Sequence, residues 1–326
     1  MTHLTYLEAS VVGLVQGVSE LFPVSSLGHA VLIPALAGGA WARDLNLGAP
    51  NSPYLALVVG LHVATALALV IYFWRDWARI IRGFLTSVRD RQVRTADQKL
   101  AWMIILATIP AGLAGLAFQH AFEVIFGQPR YAAAFLMING VILIAGERFR
   151  RHASLAADAA SSRQREDAEL VAAGRHSSSP ARVARQREQA AVWVSDRRLA
   201  TLPCPRAILI GSAQILALLA GISRDGVTMV AGLASGLSRE DAARFAFLLA
   251  TPVILAAGAL KLPDLTGPLG HGIRGQILVA SILSGVAAYL SVRFLVRYLR
   301  TRTLTPFGAY CLLAGAASLA YLTLGR

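Results

Sequence analysis

Charged residues and cysteines are both scarce in this sequence. Only 15% of its 326 residues are Asp, Glu, Lys or Arg, whereas 56% are hydrophobic. This excludes most soluble classes, because one globule does not bury so much apolar surface. The two cysteines, Cys204 and Cys311, are too few for a disulfide framework or a thiolate metal site, and we expect them to serve packing. The composition predicts an integral membrane protein.

Six charge-free runs are long enough, or nearly so, for a membrane-spanning helix of roughly 20 residues. They cover residues 53–74, 100–118, 131–146, 245–260, 275–292 and 303–325. We predict one transmembrane helix in each run.

Two other apolar regions, residues 8–36 and 206–237, are interrupted near their middle. The first is broken at Phe22-Pro23-Val24-Ser25-Ser26 and the second at Gly221-Ile222-Ser223-Arg224-Asp225-Gly226. A half of about 13 residues reaches roughly 20 Å, against roughly 30 Å of hydrocarbon, so neither half spans a bilayer alone. The pattern predicts two re-entrant helical hairpins whose breaks are buried in protein.

The order of these segments predicts an internal repeat. A hairpin and three helices occur at residues 8–147, and the same order returns at 206–326. Because three crossings are an odd number, the second copy begins on the opposite face, which gives an inverted-topology repeat within one all-α membrane domain, 1–326. Residues 148–205 separate the copies and are rich in Arg and small residues, so we predict a disordered cytoplasmic loop.

The net charge of +13 is explained by membrane topology. If the N-terminus is outside, the predicted inner loops hold 25 of the 31 Lys and Arg residues and the outer loops hold five. This asymmetry matches the positive-inside rule. The basic residues lie between apolar runs and form no recognition face with aromatic residues, so we predict no nucleic-acid partner.

The first broken segment carries polar side chains that are costly in lipid. Gln16 and Glu20 share one helix face, and Ser26 and His29 share another. Ionisable groups at membrane depth cost roughly 2.5 to 3.5 kcal/mol, so they usually face a cavity or a partner. The alternative for Ser25 or Ser26 is a helix cap after Pro23. We interpret two other histidines, His62 and His120, as packing residues.

The second broken segment places Arg224 at membrane depth between hydroxyl groups. The guanidinium is a rigid fork of donors that suits phosphate, and Gly221 and Gly226 let backbone amides approach an anion. The following helix would direct its N-terminus at that anion. The alternative is an internal ion pair between Arg224 and Asp225 that only holds the hairpin together.

The two segments together resemble those of the bacterial undecaprenyl-diphosphate phosphatases of the bacitracin-resistance type. The family pattern is Glu or Gln, three residues, Glu, then Pro-Val-Ser-Ser-x-Gly-His, and later Pro-Gly-x-Ser-Arg-Ser-x-x-Thr. It matches the segments at 16–29 and 220–228, and similarity continues at 72–75 and 245–252. Two residues depart from the pattern: Ala220 stands at its Pro and Asp225 at its second Ser.

The resemblance implies a membrane phosphatase that hydrolyses undecaprenyl diphosphate from a cavity on the outer side of the bacterial plasma membrane. It implies catalytic roles for Glu20, Ser26, His29 and Arg224, with either Ser26 or His29 as nucleophile. Glu20 and Gln16 would bind a divalent cation, Mg²⁺ or Ca²⁺, because hard cations prefer oxygen donors. The groups expected to bind substrate are Ser25, Gly221, Ser223, Arg224, Gly226 and Thr228.

Three matters stay open at the level of sequence. Inverted repeats with broken helices are also a transporter design, so a polyprenyl-phosphate flippase is the alternative function. The departure at Asp225 allows an inactive lipid-binding relative. A homodimer is compatible with the sequence and is not specified by it.

Overall fold

The structure of the protein, a computed structural model, describes residues 4–46, 53–126, 128–161, 195–196, 198–266 and 272–324, and no β-strand occurs in these ranges. The first half contains α1 (Tyr6–Leu21), α2 (Ser26–Ala37), α3 (Gly39–Asp44), α4 (Pro53–Tyr72), α5 (Trp74–Asp90), α6 (Ala96–Phe126) and α7 (Pro129–Ser161). The second half contains α8 (Cys204–Ser212), a 3-10 helix (Ala213–Leu218), α9 (Arg224–Ala234), α10 (Arg239–Thr266), α11 (Arg274–Thr301) and α12 (Thr305–Leu324). The predicted all-α class is confirmed.

Five of the described helices, α6, α7, α10, α11 and α12, are long and apolar enough to cross a membrane. A sixth span is present if α4 and α5 are taken together, although the pair bends by 84°. Several helices extend beyond the apolar runs that predicted them, because charged residues at their ends continue the helix. α6, for example, begins at Ala96 and not at Leu100.

α5 is a helix where the sequence predicted only an inner loop. Apolar side chains recur four residues apart at Ile80, Phe84 and Val88, and the same helix carries four arginines, Arg75, Arg79, Arg82 and Arg89. Such spacing produces an amphipathic helix, and the arginines kept the segment out of the charge-free runs. After the 84° bend, α5 is directed away from the axis of α4.

Both predicted interruptions are confirmed as breaks between helices. α1 ends at Leu21, and α2 begins after Ser25, which has a φ of 69°, in the left-handed region that non-glycine residues rarely adopt. The second break precedes α9 and contains Gly221, with a φ of 112°. A glycine is required there, because a Cβ atom would lie 2.4 Å from the carbonyl oxygen of Ala132.

The predicted cytoplasmic loop, 148–205, is part of the fold at its two ends. α7 continues through Ser161, so the boundary predicted at residue 147 falls inside a helix. Further on, Asp196 is buried and pairs with Arg79 of α5 and Arg244 of α10. Asp196, which belongs to the predicted loop, is therefore buried and paired with two arginines of the helical bundle. Residues 162–194 lie outside the described residues, so the disorder predicted for them stays a prediction.

The two halves pack into each other. α1 of the first half packs along α11 of the second, and α8 of the second half packs along α6 of the first. Glycines allow both contacts: a Cβ on Gly17 would lie 2.2 Å from the Ser284 carbonyl oxygen, and one on Gly211 would lie 2.0 Å from that of Ala107. Each broken segment is thus packed against the second long helix of the opposite half.

Candidate active site

The two breaks in the helices lie against each other. Ser25 Oγ accepts hydrogen bonds from the amide of Gly28, which caps α2, and from the amide of Gly221 in the second break, both at 3.2 Å. The backbones approach so closely that a Cβ on Gly28 would lie 2.9 Å from Gly221 Cα. The capping interpretation of Ser25 is therefore confirmed, and the same hydroxyl joins the two segments.

Asn139 of α7 connects the same two breaks and is fully buried. Its Nδ2 donates to the carbonyl oxygen of Pro23 at 3.0 Å, and its Oδ1 accepts from the amide of Ser223 at 3.0 Å. One side-chain amide thus satisfies a buried backbone acceptor in the first break and a buried donor in the second. Sequence reasoning missed this residue, although an amide inside an apolar run was a visible signal.

Glu20 is the centre of the polar cluster formed between the breaks. Its Oε1 accepts from Arg224 Nη2 at 2.5 Å, and its Oε2 accepts from Gln16 Nε2 at 2.8 Å and from the hydroxyl of Ser26. The side chain of Glu20 is 3% exposed and that of Arg224 16%. Four predicted site residues, which are separated by up to 208 positions in sequence, therefore meet at one carboxylate.

His29 is bound on both ring nitrogens. Its Nδ1 lies 2.7 Å from the carbonyl oxygen of Ser25, and its Nε2 lies 2.7 Å from the hydroxyl of Tyr310 on α12. A carbonyl oxygen only accepts, so Nδ1 carries the hydrogen, and in the neutral ring the Tyr310 hydroxyl donates to Nε2. The hydroxyl of Ser26 therefore contacts Glu20, while both ring nitrogens of His29 have other partners.

A narrow cleft lies between α1 and α2 beside this cluster, and about 10 Å³ of it admits a sphere the size of a water molecule. Its polar walls are Gln16, Ser26 and His29. The remaining wall is almost entirely apolar and includes Val11, Val15, Ile33 and Pro34. The lining thus changes from polar beside the break to apolar along the two helices.

Asp225 is buried with little to stabilise it. It is 1% exposed, and its Oδ1 lies 3.7 Å from Arg224 Nε. Among the described residues, neither Asp225 carboxylate oxygen nor Arg224 Nε has a hydrogen-bond partner. The guanidinium thus binds Glu20 more closely than it binds Asp225. A buried carboxylate in this condition is costly and suits a site that receives a further cation or donor.

The other predicted substrate-binding groups of the second segment bond within that segment or to the first one. Ser223 Oγ accepts from the amide of Gly226 at 3.1 Å and so caps α9. Thr228 Oγ1 donates to the carbonyl oxygen of Arg224 at 2.7 Å. The amide of Gly221 is bound to Ser25. These contacts hold Arg224 in place, and a direct role of these groups in binding substrate stays a prediction.

His62 of α4 is also in the cluster, although the sequence suggested a packing residue. Its Nε2 lies 3.3 Å from Gln16 Nε2 and 3.5 Å from Glu20 Oε2. Position along an apolar helix did not reveal this, because α4 is apolar on every side. The interpretation of His120 as a packing residue stays a prediction, because its side chain lies outside the described part of the structure.

The fold and the cluster define a multi-pass membrane protein with a buried carboxylate, guanidinium and hydroxyl site between two broken helices. The sequence matches the family model described as Bacitracin resistance protein BacA over residues 9–317. The chain belongs to this family.

Its relatives include proteins from several bacteria. It is 58% identical to the undecaprenyl-diphosphatase of Mycolicibacterium paratuberculosis over 322 residues, which cover 99% of both chains. It is 54% identical to undecaprenyl-diphosphatase 2 of Frankia alni over 97% of both chains. It is 40% identical to undecaprenyl-diphosphatase 1 of Burkholderia pseudomallei over 92% of this chain and 91% of that one.

Proposed function

We propose that this protein is an undecaprenyl-diphosphatase, which hydrolyses undecaprenyl diphosphate to undecaprenyl phosphate and inorganic phosphate. This reaction recycles the lipid carrier of cell-wall synthesis and confers resistance to bacitracin. The observation that carries the proposal is the convergence of Ser26 and Arg224 on Glu20. The names of the relatives support the same substrate.

The contacts of Glu20 assign a role to each group. Ser26 Oγ attacks the terminal phosphorus while its proton passes to the Glu20 carboxylate, which already accepts that hydrogen. The bond from this phosphorus to the bridging oxygen breaks, and undecaprenyl phosphate leaves. Water then hydrolyses the phosphoserine. Arg224 exchanges Glu20 for the phosphate oxygens and neutralises their charge.

His29 is the alternative nucleophile, and a trapping experiment separates the two. If Ser26 attacks, rapid acid quenching yields phosphoserine, which is stable to acid. If His29 attacks, the phosphoryl group on the ring nitrogen is lost in acid and kept in base. We expect the acid-stable species, and recovery of only the acid-labile one would move the nucleophile to His29.

A divalent cation, Mg²⁺ or Ca²⁺, would be bound by Glu20 and Gln16. Gln16 Nε2 lies 2.8 Å from Glu20 Oε2, and both residues are buried. The carboxylate of Asp225, which makes no hydrogen bond among the described residues, adds negative charge beside Arg224. The Glu20 carboxylate and the side-chain oxygen of Gln16 are the donors that would fit a hard cation. When bound, the cation would supply positive charge to the diphosphate oxygens. We expect EDTA to abolish phosphate release and added Mg²⁺ or Ca²⁺ to restore it.

The finer architecture is also proposed as an inverted repeat, 8–147 and 206–326, with two re-entrant hairpins. Its support is the reciprocal packing of α1 on α11 and of α8 on α6, with Gly17 and Gly211 at the two closest approaches. The excess of basic residues in the inner loops supports insertion in the plasma membrane with the site open to the outer side. A homodimer stays a prediction, to be tested by light scattering of the purified protein.

The names of the relatives give no support to the alternative function, a polyprenyl-phosphate flippase. Liposomes that contain the protein and a labelled diphosphate lipid distinguish the two functions. Hydrolysis releases phosphate, whereas a flippase moves the head group between leaflets and releases none. An inactive relative would neither release phosphate nor move the head group. In that case Asp225→Ser would create phosphate release.

The decisive test of the proposed function is a pair of variants on α1. Glu20→Gln keeps the size of the side chain and removes the base, so we expect phosphate release to fall by at least about 10²-fold. Ser19→Ala is the control, because the hydroxyl of this neighbour only donates to the Val15 carbonyl oxygen. Full activity in purified Glu20→Gln protein would refute the assignment.

A further inference from the structure

We propose that His62 is a third ligand of the divalent cation, which makes the site a mixed nitrogen and oxygen site. The inference rests on the proposed function, which places a cation beside Glu20. The family resemblance points to Gln16 and Glu20 alone, and His62 enters only through the structure, in which α4 brings its imidazole against both side chains.

The three terminal atoms form a triangle of suitable size. Glu20 Oε2 and Gln16 Nε2 are 2.8 Å apart, Gln16 Nε2 and His62 Nε2 are 3.3 Å apart, and His62 Nε2 and Glu20 Oε2 are 3.5 Å apart. For a metal–donor distance of about 2.1 Å, neighbouring donors are about 3.0 Å apart in an octahedron and about 3.4 Å apart in a tetrahedron. The triangle therefore matches one face of a coordination polyhedron.

The imidazole is held in the orientation that a metal ligand needs. His62 Nδ1 lies 2.8 Å from the carbonyl oxygen of Val58, one turn earlier on α4, so Nδ1 donates and the neutral ring directs the Nε2 lone pair at Glu20 and Gln16. Ligating histidines nearly always make such a bond with their second nitrogen, which fixes the tautomer and raises the basicity of the first.

The lone pairs of Glu20 and His62 both meet the side-chain amide of Gln16. The Gln16 amide directs its Nε2 towards both Glu20 and His62. A half-turn of this amide presents its oxygen in place of its nitrogen, and an oxygen between a carboxylate and an imidazole lone pair is stable only beside a positive ion. The three donors then face one point.

The chain supplies only part of the coordination shell. The described residues contain no cluster of three His, Cys, Asp or Glu side chains, so Glu20 and His62 need the Gln16 amide, water and the diphosphate oxygens to complete it. An imidazole ligand favours transition metals over Ca²⁺, and among them it binds Mn²⁺ less tightly than Co²⁺. We therefore expect the site to bind Mn²⁺ more tightly than Ca²⁺.

Pulsed electron paramagnetic resonance on the full-length protein in detergent tests this ligand directly. Mn²⁺ is added below the protein concentration, and electron spin echo modulation detects a directly bound ¹⁴N nucleus. We expect imidazole modulation in the native protein, its loss in His62→Gln, and its persistence in the matched control His29→Gln. Mn²⁺ affinity should fall at least about tenfold in His62→Gln.

Two results would overturn the inference: no ¹⁴N modulation in the native protein, or modulation that survives in His62→Gln. Loss in His29→Gln alone would assign the ligand to His29 and would equally refute it. Thermal unfolding of each variant confirms that the folded protein is measured. Phosphate release by the same native preparation separates the failures, because release without ¹⁴N modulation overturns only this inference, whereas absence of release overturns the proposed function.

Discussion

Asn139 shows how much a single polar side chain contributes inside an apolar bundle. In the described structure it is the residue that bonds to both breaks through its side-chain amide, at Pro23 and at Ser223. Ser26 and Arg224 directly follow these two breaks, so the distance between the Ser26 hydroxyl and the guanidinium depends on an amide that contacts neither. Asn139 is a positioning residue in this sense.

Replacing Asn139 with Ala should destabilise the protein and lower its activity. The Ser223 amide and the Pro23 carbonyl oxygen would each lose a buried partner, at a cost of about 1–3 kcal/mol for each. Thermal unfolding in detergent measures the loss. Thr251→Ala is the control, because its buried hydroxyl bonds only within its own helix, to the Phe247 carbonyl oxygen. Equal stability of the two variants would contradict the positioning role.

The sequence identified Gln16, Glu20, Ser26 and Arg224 because ionisable or hydroxyl groups at membrane depth need a partner. It did not identify His62, Tyr310 or Asn139. Each of these lies on a helix that is apolar on several sides, so spacing does not show which side faces the site. The pairing of Ser26 with Glu20 was equally hidden, because it depends on the path of the chain through Pro23 and Val24.

Among the structural elements, the second break is the most constrained. Gly221 combines a φ of 112° with a close approach to the carbonyl oxygen of Ala132. Backbone conformation and lack of space are separate reasons for a glycine. A second glycine, Gly236, has a positive φ but open space around it. Its φ is 90°, and an added Cβ would meet nothing within 4 Å.

Gly221→Ala should therefore be more damaging than Gly236→Ala. We expect Gly236→Ala to cost about 1–3 kcal/mol through backbone strain alone. Gly221→Ala adds an overlap of the Cβ with α7 and should abolish folding or phosphate release. Expression, thermal unfolding and activity of the two variants provide the comparison, and a milder effect at Gly221 would show that α7 yields to the methyl group.

The breaks and most long helices were predictable, because lipid demands apolar runs of a set length and penalises broken backbone. α5 was not predicted, because its arginines lie among apolar residues and leave no charge-free run. The docking of Asp196 was missed for a related reason, since its partners Arg79 and Arg244 are distant in sequence.

At the scale of the whole molecule, the orientation of the bundle can be tested with a native cysteine. Cys204 is exposed at the start of α8, which the proposed topology assigns to the inner side, and Cys311 is buried. A membrane-impermeant maleimide should label Cys204 in inverted vesicles and leave it unlabelled in intact cells. The control Arg43→Cys, in a Cys204→Ser background, should show the opposite pattern. Labelling of Cys204 from outside would reverse the proposed topology.

The reciprocal packing of the halves has a consequence for biosynthesis. α1 is made first, yet the surface opened by Gly13 and Gly17 fits the Ala280 to Ala288 stretch of α11, which is made more than 260 residues later. Until then the nascent chain carries a polar, glycine-lined segment with no partner. We therefore expect that neither half folds by itself, and that a ribosome stalled after α7 leaves a fragment that membrane quality control recognises and degrades.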